Sequence, residues 1–355
     1  MGCLKMITIK LKKEYLACLM VIFCIILIFK FPDSIKTGIT GGLQICFYTI
    51  IPSLFPFMVI SSYIVKSEIF SPIFKFFSPI TKFLFKQPSC TTSVILLSMI
   101  GGFPIGLKMI DELYQKDKIT KNEAERLSLF CMNAGPSFVI TALGVNMFKS
   151  VKLGIIIYIS LCLSSLVIGV FSRFFSDGLV KNQDYNKKTL VYSSFSASVS
   201  DGLQGILNIC AWIVLFSALN ECLEIYINHK QILAILSSII EISNGCITSV
   251  GKIPLPLFSF FIGMGGFCVH CQVSGYMKNC KIRYTHFLLG RISHGVLSAT
   301  ITHIILIFFP IDTNVFANAQ GIIPATFSVS LPTFAMLIIM CIIMILDIDR
   351  KKKLC

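Results

Sequence analysis

Charged residues are scarce in this sequence. They make up 14% of its 355 residues, and Asp and Glu together number 17. A soluble domain usually carries about 25% charged residues, whereas 55% of this chain is hydrophobic and its mean hydropathy is +0.82. The apolar residues also occur in runs close to the roughly 20 residues that an α-helix needs to cross a bilayer. The composition therefore excludes a soluble globular fold and predicts an all-α, polytopic integral membrane protein.

Motifs of soluble enzymes are missing as well. The sequence contains no phosphate-binding glycine loop that ends in Lys-Ser or Lys-Thr, no His-Glu-x-x-His and no nucleophile elbow. The absence of a nucleotide-binding motif argues against an ATP-driven pump. We therefore predict that the chain is not an enzyme, assign no catalytic residue and expect no cofactor.

The net charge of +14 is high enough to raise the question of nucleic-acid binding. The lysines cluster in loops between apolar runs, however, as the positive-inside rule requires of a membrane protein. No soluble basic domain is present that would bind nucleic acid. The fifteen cysteines are scattered, and many lie within apolar runs, where a thiol acts as a small apolar side chain and not as part of a disulfide framework.

The apolar runs predict nine or ten membrane segments. The first follows a basic N-terminus like that of a signal peptide, but it is longer than a signal peptide's apolar core and no cleavage site follows, so we interpret it as a retained helix. Residues 69–85 alternate phenylalanines with lysines around two prolines, which is typical of a segment that lies in the membrane interface. The predicted membrane segments lie at about 13–31, 39–66, 90–112, 124–146, 151–175, 199–226, 230–248, 254–276, 286–309 and 330–348.

Two glycine patches lie about half a chain apart, each in the middle of an apolar run. Residues 101–106 are GGFPIG, and residues 265–270 are GGFCVH. Backbone groups that lose their helical partners are tolerated at membrane depth only where they are buried in protein or line a cavity. Paired interruptions in two halves of a membrane protein indicate a transporter's binding site. The patches therefore favour a carrier built from two related halves.

Further identities support an internal duplication. The Gly-Leu-Gln at 42–44 recurs 160 positions later at 202–204, and Gly135 matches Gly295 at the same separation, while the glycine patches lie 164 positions apart. The predicted domains are an N-terminal transmembrane helix at 1–38, a first repeat at 39–175, a polar linker at 176–195, a second repeat at 196–348 and a basic tail at 349–355.

The glycine patches fit either complete spans or re-entrant hairpins. Basic loops flank the first patch on both sides, which favours a hairpin that enters and leaves on the cytoplasmic face. A strictly inverted repeat would then put the loop with Lys278, Lys281 and Arg283 outside, against the same rule. The sequence leaves both arrangements open.

The segment Asn133-Ala134-Gly135-Pro136-Ser137 interrupts another apolar run. Pro136 removes a backbone donor and Gly135 loosens the helix. The freed backbone groups, together with the Asn133 amide and the Ser137 hydroxyl, are candidates for binding a ligand or an ion. A proline kink that neighbouring helices satisfy would leave the same pattern.

Polar residues in the second half supply further candidates. Glu241 ends a very apolar helix, and a carboxylate within a membrane is a functional-site candidate. The Asn-Gly at 244–245 equally fits a helix end at the interface, where the carboxylate would be hydrated. His270 and Gln272 follow the second glycine patch and are candidates to bind substrate or to titrate. Arg291, inside the next span, either pairs with an anion or extends to the interface.

Cys268 and Cys271, with His270 between them and Cys280 nearby, form the one metal-like cluster. Zinc sites usually need four ligands, and no second pair follows at a suitable spacing. Gln272 stands where a c-type haem attachment motif would need His. We therefore assign no metal ligand.

Four motifs in this order resemble the YlbJ family of sporulation integral membrane proteins. They are GGFPIG at 101–106, NAGPSFVI at 133–140, EISNG at 241–245 and GMGGFCVHCQV at 263–273. That family is part of a wider group with nucleoside recognition or Gate domains, shared with spore maturation proteins, concentrative nucleoside transporters and ferrous iron transporters. The resemblance covers roughly residues 15–345 and implies that both repeats are Gate-like.

The resemblance implies a multi-pass protein of a bacterial cell membrane, the mother-cell-derived outer forespore membrane, proposed to move dipicolinic acid toward the developing spore. The expected function is a secondary transporter of a small organic anion, in contact with the lipid bilayer and with a second copy of the chain or other sporulation membrane proteins as partners. Gly245 also occupies a family motif position, and the substrate-binding candidates that the resemblance implies are Gly101, Gly102, Pro104, Gly106, Asn133, Gly135, Pro136, Ser137, Glu241, Asn244, Gly265, Gly266, His270 and Gln272.

In the expected mechanism, the two broken segments meet near the midplane and their helix N-termini hold the carboxylates, because positive dipole ends favour anions. Lys108, His270 or Arg291 would add positive charge, and Glu241 would carry a coupling proton. Two alternatives stay open: a nucleoside or metal-ion carrier, which the wider group permits, and a non-transporting membrane scaffold for spore assembly. An enzyme that acts on lipid lacks a recognisable catalytic constellation.

Overall fold

The computed structural model describes residues 15, 18–19, 21–67, 71–176 and 195–310. Within these residues every regular element is a helix. The predicted segment at 330–348, the basic tail and nearly all of the polar linker lie outside the described residues. The longer helices are α1 (Val21–Lys30), α2 (Pro32–Ile45), α3 (Ile51–Ser67), α4 (Ser71–Phe85), α5 (Thr92–Gly101), α6 (Phe103–Gln115), α7 (Lys121–Phe130), a π-helix (Ser137–Met147), α8 (Val151–Ser172), α9 (Phe195–Glu224), α10 (Lys230–Ile240), α11 (Ile242–Ser249), α12 (Leu255–Met264), α13 (Gly266–Asn279) and α14 (Tyr284–Phe308). A short π-helical turn (Cys46–Ile50) joins α2 to α3, and two 3₁₀ turns lie at Ser89–Thr91 and Arg173–Phe175.

Five helical stretches of the described residues are long and apolar enough to cross a membrane, and a sixth is added if the bent pair α4 and α5 is counted as one span. This confirms the all-α, polytopic membrane fold. The five are Pro32–Ile64, Val151–Phe175, Phe195–Glu224, Leu255–Asn279 and Tyr284–Phe308. Three predicted segments, 90–112, 124–146 and 230–248, are each divided into two short helices and are not among these five stretches. The predicted segment 254–276 is among them, although Gly265 separates α12 from α13 within it. Hydropathy alone does not reveal such breaks.

Local signals explain several helix starts. Helix α6 begins directly after Gly102, and Pro104 is its second residue. The first residues of a helix have no backbone acceptor for their N–H groups, so proline loses no hydrogen bond there. At the start of α7, Thr120 and Glu123 form a capping box: the Thr120 hydroxyl accepts from the Glu123 amide at 3.2 Å, and the Glu123 carboxylate accepts from the Thr120 amide at 2.7 Å.

Helices α10 and α11 fold back on each other as a hairpin. The Ser249 hydroxyl donates to the Ala234 carbonyl oxygen at 3.1 Å and lies 3.0 Å from the Ser238 hydroxyl. A Cβ placed on Gly245 would strike the Ser238 backbone. Residues of α10 and α11 on either side of Glu241 are thus neighbours, so the chain reverses at Glu241.

Helices α5 and α6 form a second hairpin, with its tip at Gly102. A Cβ placed on Gly106 would lie 3.1 Å from the Ser98 side chain, and a continuous helix would keep residues eight apart about two turns away from each other. Gly102 has φ +89° and ψ 177°, a conformation that is essentially restricted to glycine. The first glycine patch is therefore the tip of a hairpin.

The first helices of the two halves are antiparallel. Cys46, after α2, lies beside Cys210 of α9, with its sulfur 3.8 Å from the Cys210 carbonyl oxygen. Farther along, Gly202 of α9 packs on Val59 of α3. The end of α3 leads through α4 to α5, and the end of α9 leads directly to α10. Because α3 and α9 run in opposite directions, the two hairpins enter from opposite faces.

Apart from α4, which has no counterpart between α9 and α10, the described helices of residues 32–172 and 195–308 follow the same order. A long helical stretch is followed by a hairpin (α5–α6 or α10–α11), then a broken segment (α7 with the π-helix, or α12 with α13), then a long helix (α8 or α14). In this order the Gly102 tip corresponds to Glu241. The second glycine patch corresponds to the break after α7, and not to the first glycine patch as the residue identities suggested.

This order removes the conflict over the basic loops. Asn279, at the end of α13, donates to Asp111 of α6 at 2.9 Å, and Arg283 lies 3.3 Å from Glu125 of α7. The loop with Lys278, Lys281 and Arg283 is therefore on the same face as the basic α6–α7 loop. We call this side the basic face.

Helix α4 turns away from α5 by 108°. Its most exposed apolar residues are Ile73, Phe76, Ile80 and Phe83, which share one face of the helix at spacings of three and four. This geometry supports the prediction that the segment lies along the membrane surface, with phenylalanines toward the lipid.

Candidate functional site

A cavity of about 40 Å³ lies where the two hairpin tips meet the two broken segments. We call it the tip cavity. Since a water molecule needs about 10–15 Å³ of such space, it would hold about three waters and is closed to a ring-sized molecule. Its lining is Ile50, Leu54, Met58, Gly101, Gly102, Phe103, Pro104, Gly135, Phe138, Ile209, Ile213, Glu241, Ile242, Ser243, Val269 and Gln272.

Six of the predicted site residues line this cavity: Gly101, Gly102, Pro104, Gly135, Glu241 and Gln272. They come from four motifs that are far apart in sequence. The remaining candidates are not part of its lining. A larger open depression of about 530 Å³ lies at the α6–α7 loop, lined by residues such as Tyr114 and Glu123, and none of the predicted site residues lines it.

Each hairpin tip rests on the break of the segment that follows it. A Cβ on Gly135 would lie 3.2 Å from the Gly102 backbone nitrogen, and a Cβ on Gly266 would lie 3.3 Å from the Ile242 backbone nitrogen. Glycine at both breaks thus lets the backbone of a hairpin tip approach the backbone of a broken segment. The two contacts correspond to each other in the order of elements.

Glu241 is the buried carboxylate of the site, with 1% of its surface exposed. Its extended backbone (φ −144°, ψ 120°) separates α10 from α11. Its two carboxylate oxygens accept from the backbone amides of Ser243 and Asn244 at 2.8 and 2.7 Å, and so cap α11. The alternative of a hydrated carboxylate at the interface is therefore wrong. The Asn244 side chain donates to the Ser217 hydroxyl of α9 at 2.5 Å, which fixes the tip to that helix.

The break after α7 is stabilised by side-chain hydrogen bonds to α8 and α3. Asn133 is fully buried, and its amide donates to the Phe130 carbonyl and to the Ser165 hydroxyl of α8, both at 3.2 Å. Its carbonyl oxygen has no hydrogen-bond partner. The Ser137 hydroxyl donates to the Ser53 carbonyl of α3, while Pro136 is the residue that precedes the π-helix.

The break at Gly265 separates α12 from α13. Gly265 has φ +85° and receives no side-chain cap. His270 is buried, with its ring nitrogens 3.1 Å from the Tyr284 hydroxyl and 3.1 Å from the Met264 carbonyl oxygen. Gln272 lines the cavity, and its amide donates to the Cys268 sulfur at 3.4 Å. Of the two polar candidates here, Gln272 faces the cavity and His270 holds the helix break.

Arg291 has a structural role that neither sequence interpretation anticipated. It is fully buried in α14 and donates to three backbone carbonyls: Met132, Leu129 at 3.0 Å and Gly263 at 3.3 Å. These carbonyls end α7 and α12, where unpaired oxygens give the dipole a negative end that a cation stabilises. The prediction that Arg291 pairs with an anion or extends to the interface is therefore wrong.

His294, one turn after Arg291, contributes to the same cluster. Its ring nitrogens lie 3.1 Å from the Gly263 carbonyl oxygen and 2.9 Å from that of Leu161 in α8. Arg291 and His294 together join the broken segments of both halves to the long helices α8 and α14. The sequence analysis did not single out His294. Its one signal in the sequence is its position three residues after Arg291 within an apolar run.

Lys108 also lies apart from the tip cavity. Its ammonium group is 3.9 Å from the Asp201 carboxylate, and both side chains are partly exposed. Ser62 donates to the same carboxylate at 2.9 Å. Within the described residues, the cavity lining thus includes one carboxylate and no basic side chain.

The described residues contain no group of three or more His, Cys, Asp or Glu side chains arranged to hold a metal ion. Cys268 is fully buried and accepts from Gln272, and Cys271 is partly buried. The pair therefore belongs to the packing of α13.

Comparison with curated proteins finds a relative. The chain is 26% identical over 328 residues to the sporulation integral membrane protein YlbJ of Bacillus subtilis (strain 168), covering 79% of this chain and 78% of that protein. No family model matches the chain, and no solved structure is similar to it. The similarity confirms the resemblance to the YlbJ family and does not bear on the wider grouping with Gate domains.

Proposed function

From the similarity to the YlbJ family of sporulation integral membrane proteins, we propose that the chain is a secondary carrier of a small organic acid. The expected substrate is dipicolinic acid, and the expected location is the mother-cell-derived outer forespore membrane. One observation supports a carrier most strongly: two hairpins that enter from opposite faces meet at one cavity between two broken helices.

This geometry suits alternating access. Irregular backbone at membrane depth is tolerated where it is buried or lines a cavity, and carriers place their binding sites at such breaks. Each hairpin separates the tip cavity from one face, so movement of one tip at a time would open the cavity to one side. In the described conformation the cavity, at about 40 Å³, is too small for dipicolinic acid, so substrate binding requires a wider one.

The basic face gives the expected orientation. Loops rich in Lys and Arg are retained on the cytoplasmic side, which here is the mother-cell cytoplasm. The α5–α6 hairpin would then open to the mother cell, and the α10–α11 hairpin to the space between the two forespore membranes. Uptake from the mother cell would begin with movement of the Gly102 tip.

Helix α6 offers one donor group to a carboxylate. Its N-terminus begins at the cavity and has no side-chain cap, so the positive end of its dipole is available to an anion. The N-terminus of α11 is already occupied by Glu241. The helices that begin at the two glycine patches, α6 and α13, both lack a side-chain cap, and of these two starts the α6 start lines the tip cavity.

The experiment that tests this function measures dipicolinic acid separately in mother cell and spore, in a strain deleted for this gene. Normal synthesis with dipicolinic acid retained outside the spore is the expected result, and restoring the gene should restore spore content. Normal spore dipicolinic acid in the deleted strain would contradict the substrate assignment and favour the scaffold alternative.

A further inference from the structure

The polar part of the tip cavity is small and acidic. Glu241, Ser243 and Gln272 are its polar side chains, and the remainder is apolar or glycine. A substrate carboxylate that entered would meet Glu241 without a compensating basic side chain in the described lining. Two carboxylates that share a buried site disfavour each other's ionised forms, so an acid and Glu241 cannot both be ionised there at low cost.

Within the part of the chain that the structure describes, the helices that line the cavity beside Glu241 bring no basic side chain into it. The titratable side chains that interact with it are the thiols Cys46, Cys246 and Cys268. The opposing tip of the first hairpin contributes only glycines, Phe103 and Pro104 to the cavity, and α9 contributes Ile209 and Ile213. Arg291 and His270 are engaged with backbone carbonyls and Tyr284 instead.

Both carboxylate oxygens of Glu241 have hydrogen-bond donors in this structure. Both of its oxygens accept backbone amides of α11, and both amides belong to the helix that begins at the hairpin tip. A proton on this carboxyl would turn one oxygen into a donor. That donor faces a cavity where a substrate carboxylate would otherwise find no charged partner.

We propose that the site loads a small organic acid together with one proton, held between Glu241 and a carboxylate of the substrate. This inference rests on the proposed function and adds the coupling ion to it. The proton comes from the aqueous side on which the substrate enters and binds Glu241. It leaves Glu241 on the opposite side with the substrate, and Glu241 then caps α11 again, so each cycle moves one proton and returns the protein unchanged.

The test uses the purified full-length chain in proteoliposomes that contain a trapped pH indicator. Labelled dipicolinic acid is added outside, and its uptake and the internal pH are followed together. Uptake accompanied by internal acidification, and faster when the outside is made more acidic, is the expected result. Dipicolinic acid uptake with no proton movement would overturn the coupling and leave the carrier function intact.

Glu241→Gln separates coupling from binding. Glutamine keeps a donor and an acceptor like those of a protonated carboxyl, so exchange of labelled for unlabelled dipicolinic acid should persist while net uptake loses its response to the pH gradient. Glu224→Gln, at the exposed end of α9, is the matched control and should behave as the unmodified protein does.

Other outcomes have distinct meanings. Proton-coupled uptake by Glu241→Gln equal to that of the unmodified chain would overturn the role of Glu241. Folded, unmodified protein that moves no dipicolinic acid under any gradient would contradict the proposed function itself. The coupling is also measured on the unmodified chain. The inference can therefore still be contradicted if the Glu241→Gln variant does not fold.

Discussion

We expect the Arg291→Ala substitution to lower the melting temperature and to reduce the yield of folded protein strongly. The substitution leaves the carbonyls of Leu129, Met132 and Gly263 in the interior without the guanidinium that binds them. The Gly263 carbonyl keeps its contact with His294, and each of the other two carbonyls left unsatisfied costs about 1–3 kcal/mol, so the total is roughly 2–6 kcal/mol. The melting temperature and the monodisperse yield in detergent measure this effect.

Two variants serve as controls for Arg291. Arg291→Lys keeps the charge but loses the planar group that contacts several carbonyls at once, and its stability should be intermediate. Arg283→Ala removes an exposed ion pair with Glu125, and such pairs contribute about 0–1 kcal/mol. Arg291→Ala protein as stable as Arg283→Ala would show that the carbonyl cluster does not hold the broken helices.

Gly106→Ala is expected to separate the first hairpin from the broken segment beside it. A Cβ at this position would overlap the Cys131 carbonyl oxygen, which is backbone and cannot be moved by a rotamer change. Helix α6 would have to shift away from the end of α7, and overpacking of this kind costs about 1–3 kcal/mol or more. We expect a clear drop in melting temperature and lost transport.

Gly275→Ala is the matched control for Gly106→Ala. Both glycines are within helices, but a Cβ on Gly275 would meet nothing within 4 Å. Alanine there should be neutral or stabilise by roughly 0.4–1 kcal/mol, because it lowers the conformational entropy of the unfolded chain. Equal melting temperatures for the two variants would contradict the close approach of α6 to Cys131.

The sequence located the helix breaks correctly at the glycine patches. Gly102 and Gly265 both separate helices, because glycine is the residue that tolerates positive φ and close backbone approach. The break at Gly135 and Pro136 was equally visible from its residues. Such interruptions leave a signal in a single sequence because only a few residue types permit them.

The correspondence between the halves was not predictable from residue identity. Two Gly-Gly-Phe triplets suggested equivalent positions, whereas the order of elements pairs the Gly102 tip with Glu241. The chain reverses at Gly102 in the first hairpin and at Glu241, which caps α11, in the second. Two different residue types therefore form the corresponding turns. Arg291 was misjudged for a related reason: its partners are backbone carbonyls, which have no sequence signature.

The most direct test measures dipicolinic acid uptake into proteoliposomes by a variant whose tip cavity is filled with a tryptophan side chain. Val269 lines the cavity and is buried, whereas Val296 on α14 is 50% exposed toward the surroundings of the helix bundle. The unmodified chain and Val296→Trp should take up dipicolinic acid at similar rates, and Val269→Trp, checked for an intact melting transition, should take up almost none. Unimpaired uptake by folded Val269→Trp would contradict a substrate path between the hairpin tips.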